Sequence, residues 1–187
     1  MKYVENQIFY HVQRGRQKVS HVGDILKSGI KENDFLGFYR TFDLNTVSPQ
    51  TAIAELRRYL REQIFEDVRK TQFPDLPSRF YCLWIIPDSP ILNESLTFWI
   101  PRVVWNINDT FRVLKLSCTG RVHYACEEYL ALEKCNTLQA THDNAVHYWR
   151  GDNAIIGSPQ VEALFYGDAL VQEVVNPFDP KHQLYVL

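Results

Sequence analysis

The chain of 187 residues has no long hydrophobic run, no paired cysteines and almost no excess charge of either sign. No apolar stretch approaches the ~18 residues that a membrane-spanning helix needs. The opening MKYVENQIFYHV lacks an apolar segment of signal-peptide length. These absences predict a cytoplasmic protein that does not enter a membrane. Twenty Lys and Arg stand against 22 Asp and Glu, a formal charge of −2. Such a balance gives no general grip on nucleic acid or anionic lipid, although a local basic patch is compatible with it. Cys82, Cys118, Cys126 and Cys135 form no C-x-x-C pair and lack the tight spacing of a structural zinc site. They read as reduced, mostly buried thiols.

Several catalytic motifs are also missing. There is no G-x-x-x-x-G-K-[ST], G-x-G-x-x-G, H-E-x-x-H or G-x-S-x-G. His142 and His147 are five apart and do not share a helix face well, so no metal is expected there. Ordinary nucleotidases, dinucleotide dehydrogenases and zincins are thereby disfavoured.

What remains is a chain with 45% hydrophobic and 13% aromatic residues, enough for one β-rich domain spanning 1–187. IFYHV at 8–12 reads as a strand, followed by a polar loop and a second extended piece over 35–42. The region 48–70 predicts a helix, with Ser48 as cap and Pro49 at the first helical position. Ile53, Leu56, Leu60, Ile64 and Val68 give it one apolar face. The mixed charges Arg57, Arg58, Arg61, Arg69, Glu55, Glu62, Glu66 and Asp67 read as its solvated face. RFYCLWII at 79–86 predicts a buried strand, PDSPILNESLTFW a loop with a helical turn near Trp99, and RVVWNI and FRVLKLSCTGRVHY further strands. Residues 125–150 predict two helical pieces stopped by Gly151. QVEALFYGDALVQEVV predicts two short strands around a Gly-Asp turn. Strands and helices do not alternate strictly, which points to an α+β fold with a mixed or antiparallel sheet.

Three stretches carry candidate chemistry. His11 lies inside the apolar IFYHV, either as a core residue whose nitrogens find a backbone partner or as a ligand contact. Trp84 in SRFYCLWII and Trp99 one loop later are core residues or aromatic walls. Glu162 opens the apolar VEALFYGDALV, either as a solubilising edge charge or as a carboxylate at the mouth of a buried sheet.

Taken together these stretches resemble the ADP-ribosyltransferase superfamily, on its His-Tyr-Glu branch. They are similar to a small bacterial family of unknown function assigned to that fold. The likeness rests on a leading FYHV, a helix closing on PSR before a CLW strand, a nearby Trp, a YW pair and a terminal E-x-L-x-x-G, and it covers most of the chain. It implies a split β-sheet of ADP-ribosyltransferase type with flanking helices. It also implies NAD as substrate, used without a metal. His11 matches the histidine that bonds the NAD ribose, and Glu162 the catalytic glutamate. Trp84 stands where the branch has tyrosine, so a stacking face is kept and a hydroxyl is lost. Trp99 resembles the second aromatic wall; Arg79 has no firm counterpart in the family pattern and is assigned a diphosphate contact. Ser78 and Tyr10, flanking Arg79 and His11, complete the NAD-binding set.

The chemistry is coherent. Cleaving the bond between nicotinamide and ribose builds oxocarbenium-like charge on the sugar, which a carboxylate stabilises. Aromatic faces hold the cationic nicotinamide ring. The expected activity is mono-ADP-ribosyl transfer to a protein, nucleic-acid or small-molecule acceptor, and the habits of the superfamily point to a toxin or phage-conflict setting. The alternatives are an NAD glycohydrolase on the same fold and a non-catalytic interaction module.

Overall fold

A computed structural model describes residues 1–15, 19–103 and 111–175. Five strands and four α-helices occur among them: β1 (Lys2–Arg14), β2 (Ile25–Lys27), α1 (Asp34–Thr41), α2 (Pro49–Gln72), β3 (Leu83–Pro87), α3 (Leu92–Val103), β4 (Phe111–Cys126), α4 (Leu138–Arg150) and β5 (Val161–Val175). Helix accounts for 38% and strand for 32%, an α+β composition. No described helix is long and apolar enough to cross a membrane.

The strand order is β2-β5-β3-β1-β4, and β4 pairs in turn with β5, so β1, β3, β4 and β5 close on one another. Every pairing is antiparallel. Closure needs curvature, which bulges supply. One lies in β1 between Val4 and Gln7, where Asn6 has positive φ; a second register shift lies between Lys115 and Leu116 of β4. Gly120 and Gly167 face each other where β4 and β5 run together. Both have positive φ, and a Cβ on either would meet backbone of the partner strand, at 2.2 Å from Tyr166 O or 2.4 Å from Thr119 O. Only glycine permits this close crossing.

Alternation then sorts the side chains. Phe9, Ile85, Leu114, Leu116, Val122, Ala163, Phe165 and Val171 fill the interior. On the outside, α2 and α4 cover Ala125 and Leu164 through Phe65, Ala145, Tyr148 and Trp149. α3 covers Tyr10, Val12, Ile86 and Val113 through Leu92, Leu96 and Ile100.

Several elements depart from the sequence expectation. The extended piece expected over 35–42 is α1, with Asp34 in its first turn, where a carboxylate suits the helix dipole. The 92–103 stretch is a full helix rather than a loop; Leu92, Leu96 and Ile100, spaced by four, are its buried ridge. The strand expected from RVVWNI lies mainly outside the described residues, its first two closing α3. Pairing of β3 begins only at Leu83, because residues 79–82 form a turn. FRVLKLSCTGRVHY sits in one strand, and so does the tail: Gly167 sits inside β5 opposite Gly120 and makes no hairpin. β2 lies in the segment read as polar loop. Of the two helical pieces expected over 125–150, the first is only a 3-10 turn at Glu127–Leu130. The start of α2 and the end of α4 follow expectation: Ser48 accepts from Thr51 N–H, and Gly151 at φ 78 closes α4.

Candidate functional site

The outer face of β3 and β5, beneath α2 and α4, holds a buried set of charges. Arg79 lies in the turn after α2. Its Nε donates to Glu62 Oε2 of α2 at 2.8 Å. Its Nη1 donates to Tyr148 Oη of α4 at 2.6 Å and also to Glu162 Oε2 of β5. Tyr148 donates its hydroxyl to the same Glu162 oxygen. The second Glu62 oxygen takes Arg61 Nη2 at 2.7 Å, and Arg61 also reaches Leu130 O. The guanidinium of Arg79 lies 5.3 Å from the Tyr148 ring centre and 5.7 Å from that of Trp84. Glu62, Arg79, Tyr148 and Glu162 are all buried.

A second quartet adjoins it. Arg69 grips both oxygens of Glu66, at 3.0 and 2.8 Å. Ser78 Oγ donates to Glu66 Oε2 at 2.8 Å, while Ser78 N–H donates to Tyr166 Oη at 2.9 Å. The fork of an arginine matches a carboxylate in this way and adds geometric definition to the contact.

Burial and pairing pull the two carboxylates of Arg79 apart. Burial opposes the ionisation of Glu62, yet Arg79 and Arg61 together hold its pKa below the ordinary range. Burial of Glu162 outweighs Arg79 and the Tyr148 hydroxyl, so its pKa is raised. Burial and the Glu162 charge hold the Tyr148 phenol well above its usual value, against the pull of Arg79. Burial disfavours charge on Arg79, but Glu162 and Glu62 keep it firmly protonated. A carboxylate of raised proton affinity, a phenol and a fixed cation thus meet at one point.

Of the residues expected to bind NAD, the structure brings Ser78, Arg79, Trp84 and Glu162 into one neighbourhood. It does not bring His11, Tyr10 and Trp99 there. Glu162 also lies beneath α2 and α4 rather than at an open sheet mouth. Tyr10 pairs with Ile86, so it shares the outer face, but it packs with Trp99 under α3. His11 has the parity of Phe9 and points to the inner side. Its Nδ1 lies 2.8 Å from Trp84 O, a pure acceptor, so Nδ1 carries the hydrogen. Burial lowers the His11 pKa, partly offset by that bond, favouring the neutral ring. The backbone partner anticipated by one reading of IFYHV is therefore present.

Sequence reasoning left Glu62, Glu66, Tyr148 and Tyr166 out of the site. Tyr148 belongs to the YW pair of the resemblance, and that pair was the available signal. Glu62 and Glu66 were hidden in what read as a solvated helix face. On the same outer wall, His123 of β4 stacks on Trp149, with ring centres 5.8 Å apart, and burial pushes its pKa down to about 4. Among the described residues no group of three or more His, Cys, Asp or Glu could hold a metal ion.

Fold and site thus define an α+β protein built on closed antiparallel strands, with a carboxylate–guanidinium–phenol cluster beneath two helices. The chain belongs to the family described as protein of unknown function (DUF2441), whose family model matches residues 38–177. That span includes Glu62, Arg79, Trp84, Tyr148 and Glu162 and begins beyond Tyr10 and His11. No curated protein matches the sequence.

Proposed function

We propose that the chain is an NAD-dependent mono-ADP-ribosyltransferase in which Glu162 is the catalytic carboxylate. The observation that carries this reading is the meeting of Glu162, Arg79, Tyr148 and Trp84 on one face of neighbouring strands, where Trp84 pairs with Leu164. The resemblance of the motifs to the ADP-ribosyltransferase superfamily, with its split sheet, supports it from the sequence side. Trp84 offers a ring face for nicotinamide but no hydroxyl; Tyr148 brings a phenol onto Glu162 and can supply that function.

In the proposed reaction the C1′–N bond of NAD breaks and nicotinamide leaves with the bonding electrons. The ribose cation is stabilised by Glu162. A nucleophile of the acceptor forms the new bond at C1′, and its proton passes to the carboxylate. Arg79, already paired with Glu162, exchanges that contact for the diphosphate of NAD. His11 lies on the inner side of the strands and does not meet this cluster, so Glu162 and Arg79 carry the reading.

The test is nicotinamide release from NAD by the purified protein, with and without cell lysate, beside Glu162→Gln. The expected result is release that requires lysate and falls at least 100-fold in the variant, in line with the effect of removing an electrostatic stabiliser. Release without lysate makes the protein a glycohydrolase. Absence of release in both conditions overturns the reading.

One observation favours a second reading. Glu162 is only 6% exposed, and Arg79 and Tyr148 already occupy it. On that reading the cluster is a clamp joining α2, α4 and β5 in a non-catalytic interaction module. Such a protein would leave NAD intact, and Glu162→Gln would change only its stability.

A further inference from the structure

Beside the Glu66–Arg69–Ser78–Tyr166 quartet lies a cleft of about 360 Å³, within the range of small-molecule sites. It contains none of Glu162, Arg79, Trp84 or His11. Its lining combines the rings of Tyr59 of α2, Phe80 and Tyr81 of the turn and Tyr166 of β5 with the charged side chains of Glu32, Glu66, Arg69 and Lys70. Its polar groups include Gln63, half-buried on α2 between Tyr59 and Glu66.

These walls are held in place. Gly29 N–H donates to Tyr81 O at 2.8 Å, and Asn33 N–H donates to Phe80 O at 2.8 Å. Asn33 Nδ2 donates to Arg79 O at 2.8 Å, so the segment bearing Phe80 and Tyr81 is tied to the 29–33 loop. Gly29, at φ +90, lies so flat on Tyr166 that a Cβ there would sit 3.2 Å from the ring. Two carboxylates line the cleft, Glu32 and Glu66; Glu66 is engaged by Arg69 and Ser78.

The hydrogen-bonding capacity left over is distinctive. Tyr166 Oη accepts from Ser78, but its own hydrogen has no acceptor among the described residues. The Gln63 amide and the Tyr59 hydroxyl have no hydrogen-bond partner among them either. A side-chain amide presents a donor and an acceptor side by side, the pattern that reads the edge of adenine in two bonds. Aromatic side chains offer stacking faces to a base. A saturated ligand would use neither feature.

We propose that this cleft binds a nucleobase carried by a free nucleoside or nucleotide, with adenine preferred. Gln63 reads the base edge, Tyr81 and Tyr59 flank its plane, and the Tyr166 hydroxyl donates to a ring nitrogen or sugar oxygen. The inference does not depend on NAD chemistry at Glu162, because the two residue sets are separate.

The experiment is an NMR titration of the full chain with adenosine, guanosine, cytidine and uridine in turn, following the tyrosine ring signals. Adenosine is expected to shift signals of Tyr59, Tyr81 and Tyr166 and to bind more tightly than cytidine or uridine. Gln63→Met, which keeps the side-chain length, should weaken adenosine at least tenfold and flatten the preference among bases. Tyr81→Ala, at an exposed position, should weaken all bases by about tenfold. Both variants are checked for unchanged thermal unfolding. The proposal is overturned if no nucleoside shifts these signals at millimolar concentration, or if folded Gln63→Met binds adenosine as the parent chain does.

Discussion

The interior enclosed by the strands and the outer wall beneath α2 and α4 are buried to the same degree by opposite chemistry. Inside, Phe9, Leu114, Leu116, Val122 and Phe165 meet as apolar surfaces. Cys118 is the thiol among them, and burial raises its pKa to about 12, so it stays neutral near pH 7. Outside, Phe65, Tyr148 and Trp149 enclose Glu62, Arg79 and Glu162. The interior is specified by volume, and many apolar side chains of similar size satisfy it. The outer wall is specified by partners: each charge is tolerable only while the others are in place. Such a wall is sensitive to single substitutions yet contributes little net stability.

The sharpest way to break this contrast is Arg79→Met. Glu62 and Glu162 would keep their burial and lose their common cation, and unfolding free energy should drop by about 3–5 kcal/mol. Urea denaturation measures it. If the cluster is a matched set, adding Glu162→Gln and Glu62→Gln to Arg79→Met should recover much of the loss. A triple variant no more stable than Arg79→Met would show that packing, not charge pairing, governs this wall.

Acid should discriminate the two regions next. The fold favours neutral His123, whose pKa falls from 6.5 to about 4. A depressed folded pKa means that its contribution is complete above about pH 6.5 and is lost as the pH falls towards 4. A shift of that size corresponds to about 3 kcal/mol. Glu62 has the same sign at lower pH, since its folded pKa is below that of the free side chain. Glu162 has the opposite sign, since protonation favours its buried form. Unfolding free energies at pH 7 and pH 4 should differ by about 3 kcal/mol more in the parent chain than in His123→Phe, which keeps a ring against Trp149. Equal differences would remove His123 from the account.

The interior should answer instead to shape. Gly167→Ala places a methyl group against Thr119 O and strains a residue at φ 146. A loss of about 1–3 kcal/mol is expected, with the same pH dependence as the parent chain. A neutral effect in thermal unfolding would mean that the β4–β5 crossing is looser than the contact distance implies.

Local chemistry was legible in the residues themselves. Ser48 and Pro49 marked the start of α2, and Gly151 marked the stop of α4, because caps and breakers act within a few positions of where they stand. IFYHV read as a strand for the same local reason, and so did RFYCLWII, which pairs only from Leu83 onward. α2 shows where such reading ends. Of its stripe Ile53, Leu56, Leu60, Ile64 and Val68, the first three are exposed and only Ile64 and Val68 reach the core, while Glu62 and Glu66 beside Phe65 are buried. Periodicity ranks faces by hydropathy. It cannot register that a guanidinium 17 residues away will receive the Glu62 carboxylate.

The same distinction governs the site. Arg79, Trp84 and Glu162 were found as residues of the right type in a familiar order, and the strand pairing of β3 with β5 brings them together. His11 was found on equal grounds, yet one residue of strand register turns its ring to the opposite side. Sequence by itself determined the composition of the domain, the capped helices, the strand-forming stretches and the residue types available for chemistry, all of which depend on neighbours along the chain. Only the tertiary structure decided which helix face is buried, that β4 and β5 close the sheet, and that two glutamates share one arginine. Those outcomes depend on contacts between residues far apart in the chain, where burial, pairing and close packing are settled together.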